Sequence, residues 1–254
     1  MKTSDYYDSQ ALNQPSRSLW KNRRNEHNRV KRLLLQYVQQ RRACYAIADL
    51  ACGKGGDLQK YEDIFPHARL TFVDSSKKSL EVLEARAKST NVTIQSVVHG
   101  DAAKTLLPPN SYDLIAINFA IHYFCDSKSH ARDLLLNASN GLKHGGFVVG
   151  TCVDFRTLQF QHDHIHAKPD ILDGIEASPW GRTYRYELAG CVDTDECVVH
   201  FPSLVALAHS CGLHLVKFQS FNAFLFAHGL NPSAPADNAP YTTFVFVRAM
   251  ANHT

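Results

Sequence analysis

Residues 45–61 constrain the fold of this chain more than any other stretch. The apolar run Tyr45–Leu50 leads into Ala51-Cys52-Gly53-Lys54-Gly55-Gly56, and a polar, helix-like segment follows from Asp57 to Tyr61. A strand that hands a glycine-rich turn to a helix start lets backbone approach a bound ligand closely, because glycine lacks a Cβ and tolerates positive φ. The spacing is Asp49-x-Ala51-x-Gly53-x-Gly55, which is not the Gly-x-Gly-x-x-Gly of dinucleotide binders. Lys54 adds a cation that such a turn does not need for its geometry.

Strand and helix patterns alternate along the rest of the chain, which predicts an α/β fold with a mostly parallel sheet and helices on both faces. A basic amphipathic helix over about 17–41 would bury Leu19, Val30, Leu33, Leu34 and Val38. Strands are expected at Tyr45–Leu50, Leu70–Asp74, Thr93–His99, Tyr112–Asn118 and Gly146–Thr151. Between them lie helices Asp57–Tyr61, Ser76–Ala87 and Lys128–Gly141, the last with a glycine C-cap. Residues 152–196 break this rhythm. They read as a polar, loop-rich insertion over the carboxyl ends of the sheet, with one short strand at Tyr184–Leu188. Helix Pro202–Cys211 and strands Leu213–Ser220 and Thr242–Val247 complete the series, the last two joined by a flexible proline-rich stretch, Asn231–Pro240. A chain of 254 residues with 44% hydrophobic content can build one core, so 1–254 is expected to be a single domain with residues 1–16 as a disordered tail.

Composition narrows the partners. No apolar run approaches the roughly 20 residues that span a bilayer, so no membrane partner is expected. The N-terminal residues have no signal-peptide core, and the seven cysteines lack any Cys-x-x-Cys pair. Free thiols in a reducing compartment follow, and no zinc ribbon. Net charge is only +3, but residues 17–42 carry Arg17, Lys21, Arg23, Arg24, Arg29, Lys31, Arg32, Arg41 and Arg42 against Glu26 alone. Such a helix either holds phosphates or presents a solvated face. His162-Asp163-His164-Ile165-His166 is the one metal-like cluster, and a solvated loop is the preferred reading because no partner ligands stand at family spacing.

An acid closes each of three successive strand regions: Asp49, Asp74 and Asp101. A carboxylate at the end of the second strand, about twenty residues past the glycine turn, suits the two hydroxyls of a ribose, although Asp74 could instead cap the following helix. Together with the glycine turn, this set resembles the class I S-adenosylmethionine (AdoMet) methyltransferases. Within them, Cys52-Gly53-Lys54-Gly55-Gly56-Asp57 is similar to the mRNA cap guanine-N7 methyltransferases. Arg24, Asn25, Asn28 and Lys31 resemble that family's Arg-Asn-Phe-Asn-Asn-Trp-x-Lys segment, with Glu26 and Arg29 at its aromatic positions. Phe119, His122 and Tyr123 match its Gln-Phe-x-x-His-Tyr, with Asn118 in place of glutamine. Asp195–Pro202 resembles its Pro-Glu-Phe-Leu-Val-Tyr-Phe stretch, and Tyr241 matches a tyrosine ahead of the last strand. Glycine is usual at the position of Ala51, where a methyl group fits if φ is negative. Val153-Asp154 stands where the family has Pro-Asn.

The resemblance implies a Rossmann-like, seven-stranded class I methyltransferase fold with an insertion after the fifth strand. It implies an AdoMet site of Lys31, Asp49, Ala51, Gly53, Asp57, Asp74, Ser75, Asp101, Asn118 and Phe119, with S-adenosylhomocysteine as product and no metal. It implies a cap site of Asn28, Lys54, Arg86, His122, Tyr123, Glu196 and Tyr241, in which Glu196 reads guanine and Lys54 and Arg86 meet the phosphates. The implied reaction is direct in-line methyl transfer to N7 of the 5′-terminal guanosine of capped RNA, with positioning by His122, Tyr123, Glu196 and Tyr241 and no general base. A guanylyltransferase or triphosphatase partner is allowed, and the nucleus is the expected location, or a cytoplasmic factory for a viral chain. Two other readings stay open: a class I methyltransferase with a small-molecule or other RNA acceptor, and a non-catalytic methyltransferase-like capping partner.

Overall fold

The computed structural model describes residue 8 and residues 19–160, 162–188, 192–231 and 240–250. The expected tail at 1–16 (Asp8 excepted), the side chain of Leu19 and most of the proline-rich stretch lie outside the described residues.

Five parallel strands form the heart of a 7-stranded sheet: β1 (Ala46–Leu50), β2 (Arg69–Asp74), β3 (Thr93–His99), β4 (Tyr112–Asn118) and β5 (Leu142–Val153). β9 (Leu213–Ser220) and β10 (Tyr241–Arg248) complete it, and β10 inserts antiparallel between β5 and β9. The order is β3-β2-β1-β4-β5-β10-β9, so strand order reverses between β1 and β4. In open α/β sheets that switch point opens a crevice at the carboxyl ends of the strands.

The central strands are apolar on both faces because both are covered. Ile47, Leu114 and Ala116 pack on one side with α1 (Leu19–Gln39), α2 (Leu58–Ile64), α3 (Lys77–Ala87) and α6 (Phe221–Phe226). Their neighbours Ala46, Ala48, Ile115 and Ile117 pack on the other side with α4 (Lys128–Gly141) and α5 (Phe201–Ser210). On α1 the buried stripe is Val30, Leu34, Leu35 and Val38, and Leu33 is only half-buried. Gly141 is not a C-cap. It ends α4, the cap is Leu142 in extended conformation, and a Cβ on Gly141 would stand 2.9 Å from Leu107. Close packing, rather than positive φ, selects glycine there.

The insertion is more ordered than its composition predicts. β6 (Ile165–His166), β7 (Thr183–Leu188) and β8 (Val192–Cys197) form a 3-stranded antiparallel sheet. β8 reads as polar because Asp193 and Asp195 point outward, while Glu196 is buried against Tyr184. Helix α6 also goes unseen in the sequence, since six residues, apolar except for Asn222, are too few to carry a helical period. Among the described residues, no helix is long and apolar enough to cross a membrane.

Candidate active site

The turn after β1 is tied to the end of β2. The Gly53 amide donates to Asp74 Oδ2 at 2.7 Å, and the Cys52 amide donates to the Val73 carbonyl at 3.2 Å. Gly53 and Gly55 have φ of 52° and 66°, and a Cβ on Gly55 would stand 2.9 Å from both Leu58 and Leu83. Ala51 departs from expectation. Its φ is 54°, so its methyl group sits in the left-handed region that glycine would occupy at lower cost. Phe119, at the end of β4, has φ 53°. The two chain ends at the switch point thus each carry a strained non-glycine residue, a pattern associated with functional sites.

Between them lies a buried charge cluster. Asp57 precedes α2 but makes no side-chain cap; Lys31 and Lys60 place their Nζ atoms 2.6 and 2.7 Å from its Oδ1. Asn118 Nδ2 donates to the other carboxylate oxygen at 3.1 Å. Burial alone would raise the Asp57 pKa, but the two ammonium groups outweigh it and hold the carboxyl at about 2. Asp49 has no such cation in contact. Burial, reinforced by the Asp57 charge, pushes it up to about 8, so it holds its proton at neutral pH. Lys60 is absent from the sequence-based site, although its spacing of three residues from Asp57 on a helix was the available signal.

Asp74 accepts from two amides, Gly53 through Oδ2 and Ser76 through Oδ1 at 2.8 Å, and Ser76 rather than Asp74 caps α3. Each carboxylate oxygen keeps lone-pair capacity for a further donor. Ser75 lies exposed beside it. Asp101 accepts from the Ala103 amide at 2.9 Å, with His130 Nε2 3.3 Å from its Oδ2. His130 is anchored in turn by Asp126 at 2.9 Å.

The other half of the crevice is aromatic. The 3₁₀ turn Ile121–Phe124 carries His122 and Tyr123, whose ring centroids are 3.9 Å apart. His122 Nε2 lies 3.5 Å from Glu196 Oε1 and makes no hydrogen bond, and Tyr184 donates to Glu196 Oε2 at 2.7 Å. Burial lowers the His122 pKa against the opposing pull of Glu196, so the ring is neutral. The Phe119 ring packs 4.7 Å from His27 and 5.5 Å from Tyr241.

One cavity of about 730 Å³ joins the two halves. Lys31, Asp49, Ala51, Gly53, Asp57, Asp74, Ser75, Asp101, Asn118 and Phe119 all line it, as do His122, Tyr123 and Glu196. Tyr241 does not line it and stands behind Phe119 and His27. Asn28, Lys54 and Arg86 also lie outside the lining; Arg86 donates to the Lys54 carbonyl at 2.7 Å, and the Arg24 charge acts on it. His27, Tyr186 and His130 line the cavity and were not foreseen. His27 stands within the segment already singled out, whereas Tyr186 shows no local signal.

At the pair that departs from the family's Pro-Asn, Val153 lines the cavity, whereas Asp154 caps the next turn and pairs with Arg156. One expectation about a loop changes. The histidine cluster is not a solvated loop throughout: His164 is buried with both ring nitrogens engaged, and His162 bonds the Thr157 carbonyl at 2.9 Å. Among the described residues, no group of three or more His, Cys, Asp or Glu could hold a metal ion.

Strand order, switch-point cavity and strand-end acids define a class I methyltransferase fold. Solved structures agree on that fold. The CcbJ methyltransferase from Streptomyces caelestis superposes with a TM-score of 0.63 at 17% identity, over 98% of this chain and 97% of that one. An S-adenosylmethionine-dependent methyltransferase from Clostridium acetobutylicum gives 0.62 at 13% identity, over 87% and 91%. Residues 4–232 match the mRNA (guanine-N(7))-methyltransferase domain, and the chain belongs to that family. It is similar to the mRNA cap guanine-N(7) methyltransferases of Caenorhabditis elegans (34% identical, 78% of this chain and 60% of that protein) and Drosophila melanogaster (29%, 78% and 54%). That of Saccharomyces cerevisiae is 28% identical over 79% of this chain and 52% of its own length. The chain thus spans little more than half the length of these relatives.

Proposed function

We propose that this chain transfers the methyl group of AdoMet to N7 of the 5′-terminal guanosine of capped RNA. The observation that carries the reading is one cavity with two unlike halves: strand-end acids around a glycine turn, and a buried Glu196–His122 pair beside aromatic rings.

The cofactor half fits AdoMet. Asn118 Oδ1 is buried, lines the cavity and makes no hydrogen bond, so it can accept from the cofactor's ammonium group. Lys31 can meet the cofactor carboxylate, because Lys60 shares the charge of Asp57 and leaves the cluster with a spare positive charge while Asp49 is protonated. Asp74 has capacity for the ribose hydroxyls, and Asp101 for the adenine amine. AdoMet supplies an electrophilic methyl group on a sulfonium.

On the acceptor half, Glu196 accepts from guanine N1–H and the exocyclic amine, an edge that adenine lacks, so adenine would leave a buried carboxylate with Tyr184 as its hydroxyl donor and no donor from the base. Tyr184 fixes that carboxylate. Phe119 and Tyr123 offer faces for a flat purine, and Lys54 and Arg86, near the turn, suit the phosphate bridge. The N7–methyl bond forms as the sulfur–methyl bond breaks, and positive charge passes from sulfonium to purine. Because N7 carries a free lone pair, no proton leaves and no base is needed. Rate enhancement then comes from holding N7 in line, a term worth roughly 7–11 kcal/mol in the best intramolecular cases. The same reading assigns the chain to the nucleus, acting on the GpppN end that a guanylyltransferase makes.

The test incubates the protein with radiolabelled AdoMet and GpppG-ended RNA, uncapped RNA or no RNA. Label is expected in the cap alone. Glu196→Gln should lower kcat/KM for capped RNA by about 10- to 100-fold, the equivalent of a charge-assisted hydrogen bond of roughly 1.5–3 kcal/mol. Full activity in that variant removes Glu196 from guanine recognition, and label in uncapped RNA overturns the cap assignment.

A further inference from the structure

His164 does not line the cavity, yet it is buried and sits in the middle of a hydrogen-bonded line that reaches the cavity wall. Arg23, on α1, places Nη1 2.6 Å from His164 Nδ1. His164 Nε2 lies 2.7 Å from the Tyr241 hydroxyl at the start of β10. The Tyr241 hydroxyl lies 2.9 Å from that of Tyr186, which lines the cavity from β7. Three segments far apart in sequence therefore meet in one line: the basic helix, the insertion sheet and the last strand.

The chemistry of the first member sets the direction of the rest. A guanidinium has donors only, so His164 Nδ1 must accept from Arg23 and cannot carry a proton. Burial, with the Arg23 charge next, pulls the His164 pKa down to about 3, so the ring is neutral near pH 7 and its proton sits on Nε2. Nε2–H then donates to the Tyr241 oxygen, and the Tyr241 proton can turn to the Tyr186 oxygen. The outer contact of Arg23 with Asp163, at 3.5 Å and mostly solvent-exposed, adds little.

We propose that Arg23 and His164 are positioning residues for the acceptor pocket, holding Tyr241 as a hydrogen-bond donor toward Tyr186. Tyr241 supports Phe119 and His27 edge-on, at 5.5 and 4.6 Å between ring centroids. Helix α1 thereby sets the shape of the wall against which the purine would stack. The occupant of that wall rests on the cap-methylation reading, whereas the hydrogen-bond direction does not.

Two measurements on the full chain test this. With ring-¹⁵N-labelled histidine, and His164 assigned by comparison with His164→Gln, the shifts at pH 7 should show protonated Nε2 and bare Nδ1. An Nδ1–H tautomer or an imidazolium overturns the relay, whatever reaction the protein catalyses. In methylation assays, His164→Asn keeps an acceptor near Arg23 but loses the donor to Tyr241, and Tyr241→Phe loses the hydroxyl itself. Each should raise KM for capped RNA about tenfold, the size of one ordinary hydrogen bond, and leave AdoMet affinity unchanged. The double variant should be no worse than the worse single, because both break the same link. Effects that multiply, or a loss confined to kcat, overturn the proposal. His164→Gln, which keeps a donor toward Tyr241, should recover most of the wild-type KM; failure to do so while His164→Asn folds normally counts against it. If wild-type protein leaves capped RNA unlabelled, the cap reading fails while the tautomer still decides the relay.

Discussion

Ala51 and Phe119 show what the site demands of single residues. Each sits at φ near +50° at the end of a central strand, where the chain must turn sharply beside the cavity. For Ala51 the left-handed conformation costs about 1–2 kcal/mol, because Cβ crowds the following carbonyl. Replacing it with glycine removes that cost but frees the unfolded chain, a loss of roughly 0.4–1 kcal/mol. The first effect wins, so Ala51→Gly should raise stability by about 0.5–1 kcal/mol, measured as a higher urea midpoint at unchanged slope. A lower midpoint would mean that the methyl group makes contacts worth more than its strain. No such exchange suits Phe119, whose ring packs against His27 and Tyr241. At this scale the sequence was informative about which residues surround the cavity, because the motif spacing brings strand-end acids and the turn together. It marked Ala51 as standing where glycine is usual, but the sign of φ at that position is a property of the folded turn that no residue type fixes.

Elements form where local signals agree. α4 starts at Ser127, whose hydroxyl accepts from the His130 amide at 3.2 Å, and its buried face runs through Ala131, Leu134, Leu135 and Ala138. Ser127→Ala should therefore cost about 1 kcal/mol of stability in urea titration and leave AdoMet affinity intact, since Ser127 does not line the cavity. A change in cofactor affinity with stability unaltered would contradict this. Parallel strands β1 and β4 were legible as short apolar runs, and α4 by its period. β8 was not, because a strand whose outward positions are acidic and whose inward position is Glu196 has no apolar alternation to read. α6 was hidden for the opposite reason, being apolar except for Asn222 and too short to show a period.

Across the whole molecule, the buried titratable groups give stability two opposed slopes. Asp49 keeps a proton up to about pH 8 when folded, against an ordinary value of 3.8, so the folded state binds more protons and its contribution falls as pH rises through that window. His27 and His164 are pulled down, chiefly by burial, to about 3 from 6.5, so their contribution is lost as pH falls through that range. Asp49→Asn mimics the protonated acid. Its urea midpoint should match wild type only below about pH 4, exceed it increasingly from there to about pH 8, and keep a constant margin above that; a difference independent of pH would show that Asp49 titrates normally. Periodicity is local, so the alternation of apolar strands and amphipathic helices was enough to specify the α/β layers and to bring the glycine turn to a ligand crevice. Family motifs extended this to the cavity's lining residues. Only the tertiary structure decided which charges meet: Lys31 and Lys60 on Asp57, the proton retained by Asp49, and Arg23 on His164 across 141 residues of chain. Burial and through-space distance govern those pairings, and neither is a property of any short segment of sequence.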